Sequence, residues 1–151
     1  MRYVECFPIG YVRRKEGLMN AVGKEEVFKR SEELMKSPSE VELLKEYCAG
    51  LKGLRKGSLV WIIWYAHLAK ERPITVRPYK DPTMPLLGVF TTRSPARPCP
   101  LGLSLAYILE VNDCKLKVKG LDAVDGTPVL DIKLYYEGLD SPSSILKLVR
   151  S

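Results

Sequence analysis

Residues Leu59–Ala66 (LVWIIWYA) form an uninterrupted apolar run dense in β-branched and aromatic side chains, which fit a pleated, packed surface better than a helix. A strand that is apolar on both faces has no side to offer to water, so the run is expected to be a central, fully buried strand. It is far shorter than the ~20 residues a helix needs to cross a bilayer, so no membrane span is expected. A chain of 151 residues with 46% hydrophobic content can enclose such a strand in one domain, residues 1–151, without help from disulfides or metals.

The flanking segments read as further short strands. Tyr3–Arg13 is apolar but broken by Pro8 and Gly10, which suits a bent or edge strand. Glu40–Tyr47 reads as a strand or a short helix, and Gly50, Gly53 and Gly57 then mark a turn-rich stretch. Arg72–Pro78 is a short basic strand between prolines, and Leu86–Phe90 is another. Gly102–Val111 and the alternating Lys115–Lys119 flank Asn112-Asp113 and predict a hairpin. Asp125-Gly126 is the strongest turn signal, with Thr127–Tyr136 returning from it, so the C-terminal half is expected to be a β meander. Gly23–Lys36 (GKEEVFKRSEELMK) is the helix candidate, stopped by Ser37-Pro38; a partly ordered charged loop is the competing reading. About seven short strands with at most one helical insert predict a mainly β fold, a small closed or nearly closed barrel, because closure removes exposed edges.

A net charge of +6 and a pI near 9.1 suit a polyanionic partner such as nucleic acid and equally suit plain solubility. The N-terminus lacks the apolar stretch and small-residue cleavage site of a secretory leader, so a cytosolic, cytoplasmic protein is expected. Cys6, Cys48, Cys99 and Cys114 are scattered without a C-x-x-C pair, and one histidine cannot complete a zinc site; four reduced, mostly buried thiols and no metal are expected. No Rossmann or phosphate-loop glycine pattern is present, so any nucleotide-like cofactor would be held outside such frameworks.

The segment most suited to chemistry is Thr91–Gly102 (TTRSPARPCPLG). Pro95, Pro98 and Pro100 stiffen it, and rigidly held guanidinium groups at Arg93 and Arg97 suit bidentate recognition of phosphate or carboxylate. Alternatively, the prolines shape a barrel corner and the arginines cap carbonyls. Asp122 and Asp125 are candidates for proton transfer or for binding an amino group, although Asp125 also fits a purely turn-forming role. His67 ends the buried run, where barrel pockets open, but a lone histidine also fits a structural role. Trp61 and Trp64 point to opposite faces of the strand, so at least one is core, and the other could stack on a base or ligand.

Two ordered stretches, GVFTTRSPARPCPLGLSLAYILEV and GLDAVDGTPVLDIKLY, together with FPIGYVR, GLRKGSLVWIIWYAH and RPITVRP, resemble the TrmO-like (TsaA-like) family of tRNA methyltransferases over about two-thirds of the chain. The resemblance implies a small β-barrel enzyme that binds S-adenosylmethionine and works as a homodimer. It implies a substrate too: the modified adenosine beside the tRNA anticodon, methylated on its exocyclic nitrogen. By motif, Arg93, Leu103, His67, Leu68 and the Gly120, Leu121 and Asp122 stretch would line the cofactor site, with Arg97 and Arg77 facing the substrate. Lys52, Arg55, Lys56 and Arg72 would join Arg77 in gripping tRNA phosphates. Asp122 or Asp125 would accept the proton that the amine loses. Three positions depart from the family pattern: Cys99 replaces an Asn, Leu134 replaces a Pro, and the N-terminal proline-arginine-glutamine stretch is not visible in Arg14–Glu33. A non-catalytic RNA-binding barrel and a methyltransferase of different substrate are the alternatives.

Overall fold

The computed structural model describes residues 2–15 and 24–151. Among these residues eight strands form in chain order: β1 (Gly10–Arg13), β2 (Ser39–Leu43), β3 (Leu59–Tyr65), β4 (Thr75–Val76), β5 (Leu87–Gly88), β6 (Leu101–Asn112), β7 (Lys115–Lys119) and β8 (Pro128–Leu134). Six of them close an antiparallel barrel in the order β1-β2-β7-β6-β3-β8, while β4 and β5 pair apart from it. The expected mainly β closed barrel is therefore the fold.

Period-two alternation fills the interior. Val12, Val41, Leu43, Val60, Ile62, Ala106, Ile108, Leu116, Val118 and Val129 are buried inside the barrel, and Leu51, Leu121 and Ala123 join the same core. Each large aliphatic side chain removed from water in this way contributes about 1.5–3 kcal/mol. Strand β3 is central, paired with β6 on one side and β8 on the other, but it is not buried on both faces. Val60 and Ile62 are fully buried, whereas Leu59 is 38% exposed and Trp61 and Ile63 are half-buried on the outer face. That apolar outer face continues across β6 through the exposed Leu101, Leu103, Leu105 and Tyr107.

Trp64 turns inward where the β3–β8 register shifts after Ile63, and its indole lies over Gly102 of β6. A Cβ at residue 102 would overlap the indole ring, so only glycine admits this contact. Gly102→Ala is expected to destabilise the protein by about 1–3 kcal/mol, the range for overpacking a filled core. A chemical-denaturation midpoint indistinguishable from the wild type would remove this role for Gly102.

The sequence expectations need several corrections. Regular pairing in the first segment is confined to β1, because Pro8 keeps the preceding residues out of the ladder. Glu40–Tyr47 is both things at once, strand β2 followed by a 3₁₀ turn over Lys45–Leu51. Leu86–Phe90 contributes a two-residue strand before a 3₁₀ turn, Val89–Thr91. The C-terminal half is not a meander. After β7, Gly120 (φ +98°) leaves the ladder, and Leu121–Val124 cross the barrel end as an extended strap with Leu121 and Ala123 in the core. The Asp125-Gly126 turn then docks on β1, Gly126 N donating to Val12 O at 2.8 Å, so β8 pairs with β1 and β3 rather than with β7.

More than one helix is present. Helix α1 (Lys24–Lys36) occupies the expected place, with Lys36 bonded to Glu32 at 2.6 Å; that hydrogen bond, then its charge, holds the Glu32 carboxyl below its ordinary range. Two unexpected helices follow the barrel, α2 (Glu137–Asp140) and α3 (Pro142–Arg150), the latter capped by Ser141 with Pro142 in its first turn. The four reduced thiols are also corrected. Cys48 and Cys114 are joined in a disulfide across 4.7 Å between Cα atoms, and Cys6 and Cys99 are free but exposed rather than buried. The fold brings the pair together because Leu43 N donates to Cys114 O, which sets the 3₁₀ turn beside the β6–β7 turn. No described helix is long and apolar enough to cross a membrane.

Candidate active site

A cleft of about 260 Å³ opens where the first part of β6, the start of the strap and the end of α1 meet. Met35, Trp61, Arg93, Leu103, Ser104, Leu105, Gly120 and Asp122 line it. Period two explains the β6 contribution: Leu103 and Leu105 face outward, while Ser104 faces inward at 5% exposure. Gly120 can approach β6 closely because it has no side chain; a Cβ there would stand 2.6 Å from Leu105 O.

Asp122 is the acceptor at the centre of the polar wall. The Ser104 hydroxyl donates to its Oδ1 at 2.7 Å, and the Ser31 hydroxyl of α1 donates to Oδ2 at 3.3 Å. Ser104 in turn accepts from Trp64 Nε1 at 3.0 Å, so indole, hydroxyl and carboxylate form a chain in which each bond polarises the next. Each carboxylate oxygen keeps a lone pair for a ligand. Opposite, Arg93 Nη2 donates to Leu103 O at 2.5 Å, which anchors the guanidinium while leaving other N–H groups directed at solvent. The cleft thus combines one cation, one anion and an aromatic and leucine wall.

Of the residues singled out in the sequence, Trp61, Arg93, Leu103, Gly120 and Asp122 come together here. Leu121 adjoins them but its side chain is fully buried in the core. His67 and Leu68 lie in the exposed turn after β3 and do not line this cleft. Asp125 sits at the turn beyond the strap, where its Oδ1 accepts from Arg14 N at 2.7 Å. Arg97 Nη1 donates to Thr92 O and Ser94 O at 3.2 and 3.4 Å, within its own loop, and Arg77 Nη1 donates to Met84 O at 2.7 Å. Lys52, Arg55, Lys56 and Arg72 are exposed. The family's missing N-terminal stretch falls partly on residues 16–23, outside the described residues. Among the described residues no cluster of three or more His, Cys, Asp or Glu could hold a metal.

Ser104, Ser31, Met35 and Leu105 also belong to the site without standing out as functional residues in the sequence. Ser104 carried a signal, since it is the polar residue in the inward register of a strand whose other inward positions, Ala106 and Ile108, are apolar. Ser31 and Met35 carried none, because nothing in the sequence says which loop α1 packs beside.

The profile described as the tRNA-methyltransferase O N-terminal domain matches residues 23–141. The chain belongs to this family. A probable S-adenosyl-L-methionine-binding protein of Methanothermobacter thermautotrophicus is 44% identical over 103 residues, covering 68% of this chain and 73% of the relative. The mouse tRNA (adenine(37)-N6)-methyltransferase is 40% identical over 102 residues, covering 63% of this chain and 22% of that protein. Two crystal structures of TrmO from Pseudomonas aeruginosa superpose with TM-scores of 0.71 and 0.68 at 29% identity, covering 95% and 93% of this chain. The chain spans 59% of each of those TrmO chains.

Proposed function

We propose that this TrmO-family chain is an S-adenosylmethionine-dependent methyltransferase acting on the exocyclic nitrogen of adenosine 37 in tRNA, beside the anticodon. The observation that carries the reading is that one cleft holds both Arg93 and Asp122 beside an apolar and aromatic wall, in a chain whose relatives are named for this cofactor and this reaction. The residues suit the cofactor. Arg93 offers a guanidinium to its carboxylate, Trp61 an indole face to its adenine or its sulfonium, and Asp122 a negative charge that favours a cationic ligand. When bound, the cofactor supplies a methyl group whose bond to sulfur breaks as the bond to the exocyclic nitrogen forms. Trp61, Leu103 and Leu105 exclude water and align the reactants. Asp122, held by Ser104 and Ser31, accepts the proton that the amine releases.

The active unit in this reading is a homodimer in the cytoplasm. The apolar outer face formed by Leu59, Leu101, Leu103, Leu105 and Tyr107 runs into the cleft, so a second copy seated on it closes the pocket against solvent. Exposed Lys52, Arg55, Lys56 and Arg72 then hold tRNA phosphates in a salt-dependent way. Tyr107→Glu is expected to yield monomers by light scattering and to weaken cofactor binding by about tenfold or more; dimers of wild-type affinity would exclude this face.

Calorimetric titration with S-adenosylmethionine, followed by mass spectrometry of tRNA nucleosides after incubation, tests the function. Binding and a gain of one methyl group on the nucleoside at position 37 are expected. No heat at about 1 mM cofactor would leave a non-catalytic RNA-binding barrel, and binding without tRNA methylation would leave a different substrate.

A further inference from the structure

We infer that Arg14 is a positioning residue that fixes the strap and the end of α1 as two walls of the cleft; this rests on the cleft being the cofactor site. Arg14 follows β1 directly and lines no part of the cleft. Its Nε donates to Ala123 O at 2.8 Å, Nη2 to Leu121 O, and Nη1 to Leu34 O at 3.0 Å, while its backbone N donates to Asp125 Oδ1 at 2.7 Å. One side chain therefore ties the strap to the helix, and both to the barrel.

The geometry follows from the extended strap. Residues two apart in an extended chain present their backbone groups to the same side, so the carbonyls of Leu121 and Ala123 match the fixed fork of a guanidinium. Asp122, between them, reaches the Ser104 and Ser31 hydroxyls instead. On the helix, Leu34 gives its carbonyl to Arg14, Met35 gives its own to Gly120 N at 2.9 Å, and the Met35 side chain lines the cleft. Removing Arg14 would unfasten the acceptor that takes the proton and the helix that helps orient it. A lysine, a point charge on a flexible stem, cannot reproduce the planar fork that serves these three carbonyls. A misplacement of about 1 Å in a reacting group costs roughly 10²-fold in rate.

The test compares Arg14→Lys and Arg14→Gln with Leu116→Ala, a core variant in β7 away from the cleft. Amide hydrogen exchange, S-adenosylmethionine affinity and turnover on tRNA are measured on the full chain. Both Arg14 variants are expected to accelerate exchange in residues 120–125 and 31–36 while β3 and β6 keep their protection, to weaken the cofactor by about tenfold and to lower turnover by about 10²-fold. Leu116→Ala is expected to lower the melting temperature yet leave cofactor affinity unchanged. Wild-type exchange in Arg14→Lys, or an equal loss of affinity in Leu116→Ala, overturns the inference. Should the wild type bind no cofactor, the proposed function falls, and the exchange data still decide: localised acceleration keeps Arg14 as the fastener, uniform or absent acceleration removes it.

Discussion

Replacing Asp122 by Asn is expected to lower methyl transfer by roughly 10²–10⁴-fold, the range for losing a positioned general base, while cofactor affinity stays within about tenfold of the wild type. The separation follows from what the substituted amide keeps and loses. Its oxygen still accepts from the Ser104 hydroxyl, so the strap keeps its place, but it takes up no proton from an amine. Single-turnover assays with saturating cofactor isolate the chemical step. Asp125→Asn is the comparison: Asp125 is exposed and its Oδ1 serves the Arg14 backbone N–H, a bond that a side-chain amide oxygen preserves, so turnover there is expected to be unchanged. Wild-type turnover in both variants would remove the carboxylates from the chemistry.

Opening the Cys48–Cys114 disulfide is expected to cost about 4 kcal/mol, the chain-entropy value for a long closed loop; the two residues are 66 apart in sequence. For a protein of this size that corresponds to a fall of about 8–16 °C in melting temperature. Cofactor affinity is expected to survive. Cys114 lies in the turn joining β6 to β7, and the cleft lies past the other end of β7, at Gly120. The five residues of β7 between them span about 17 Å. Differential scanning calorimetry of Cys48→Ser with and without reductant checks this, and a melting temperature unmoved by reductant in the wild type would show that the bond carries no stability.

Much of the barrel was legible because its signals are local. The outward and inward registers of β6 and β7 can be read directly from alternation, and the Asn112-Asp113 turn joins neighbours in sequence. The strap escapes such local signals. Asp125-Gly126 has hairpin chemistry, but Leu121 and Ala123 are drawn into the core and Gly126 binds Val12, so a long-range contact overrides the local preference. The disulfide is likewise invisible in spacing, since only the pairing of β2 with β7 makes residues 48 and 114 neighbours. At the cleft, Arg93, Leu103, Gly120 and Asp122 belong to recognisable motifs, whereas Ser31 and Met35 act from a helix whose docking no motif encodes. Helix α3 carries a start signal in Ser141-Pro142, yet its 9 residues are too short a stretch for periodicity alone to set it apart from a trailing loop.

The seam of the barrel has a consequence for synthesis. β1 pairs with β8 through Gly10 and Val129, so the first strand made waits for nearly the last. β3 shares the delay, since one of its two partners is β8. While the chain emerges from the ribosome, β2, β7 and β6 can already associate, but the edges of β1 and β3 stay open, with Trp61 and its apolar neighbours beside one of them. Such unpaired edges are where nascent chains associate wrongly, and non-local closure makes the final step slow. Truncation before Pro128 should therefore leave a sticky five-stranded sheet, open between β1 and β3 although every residue that lines the cleft is still present.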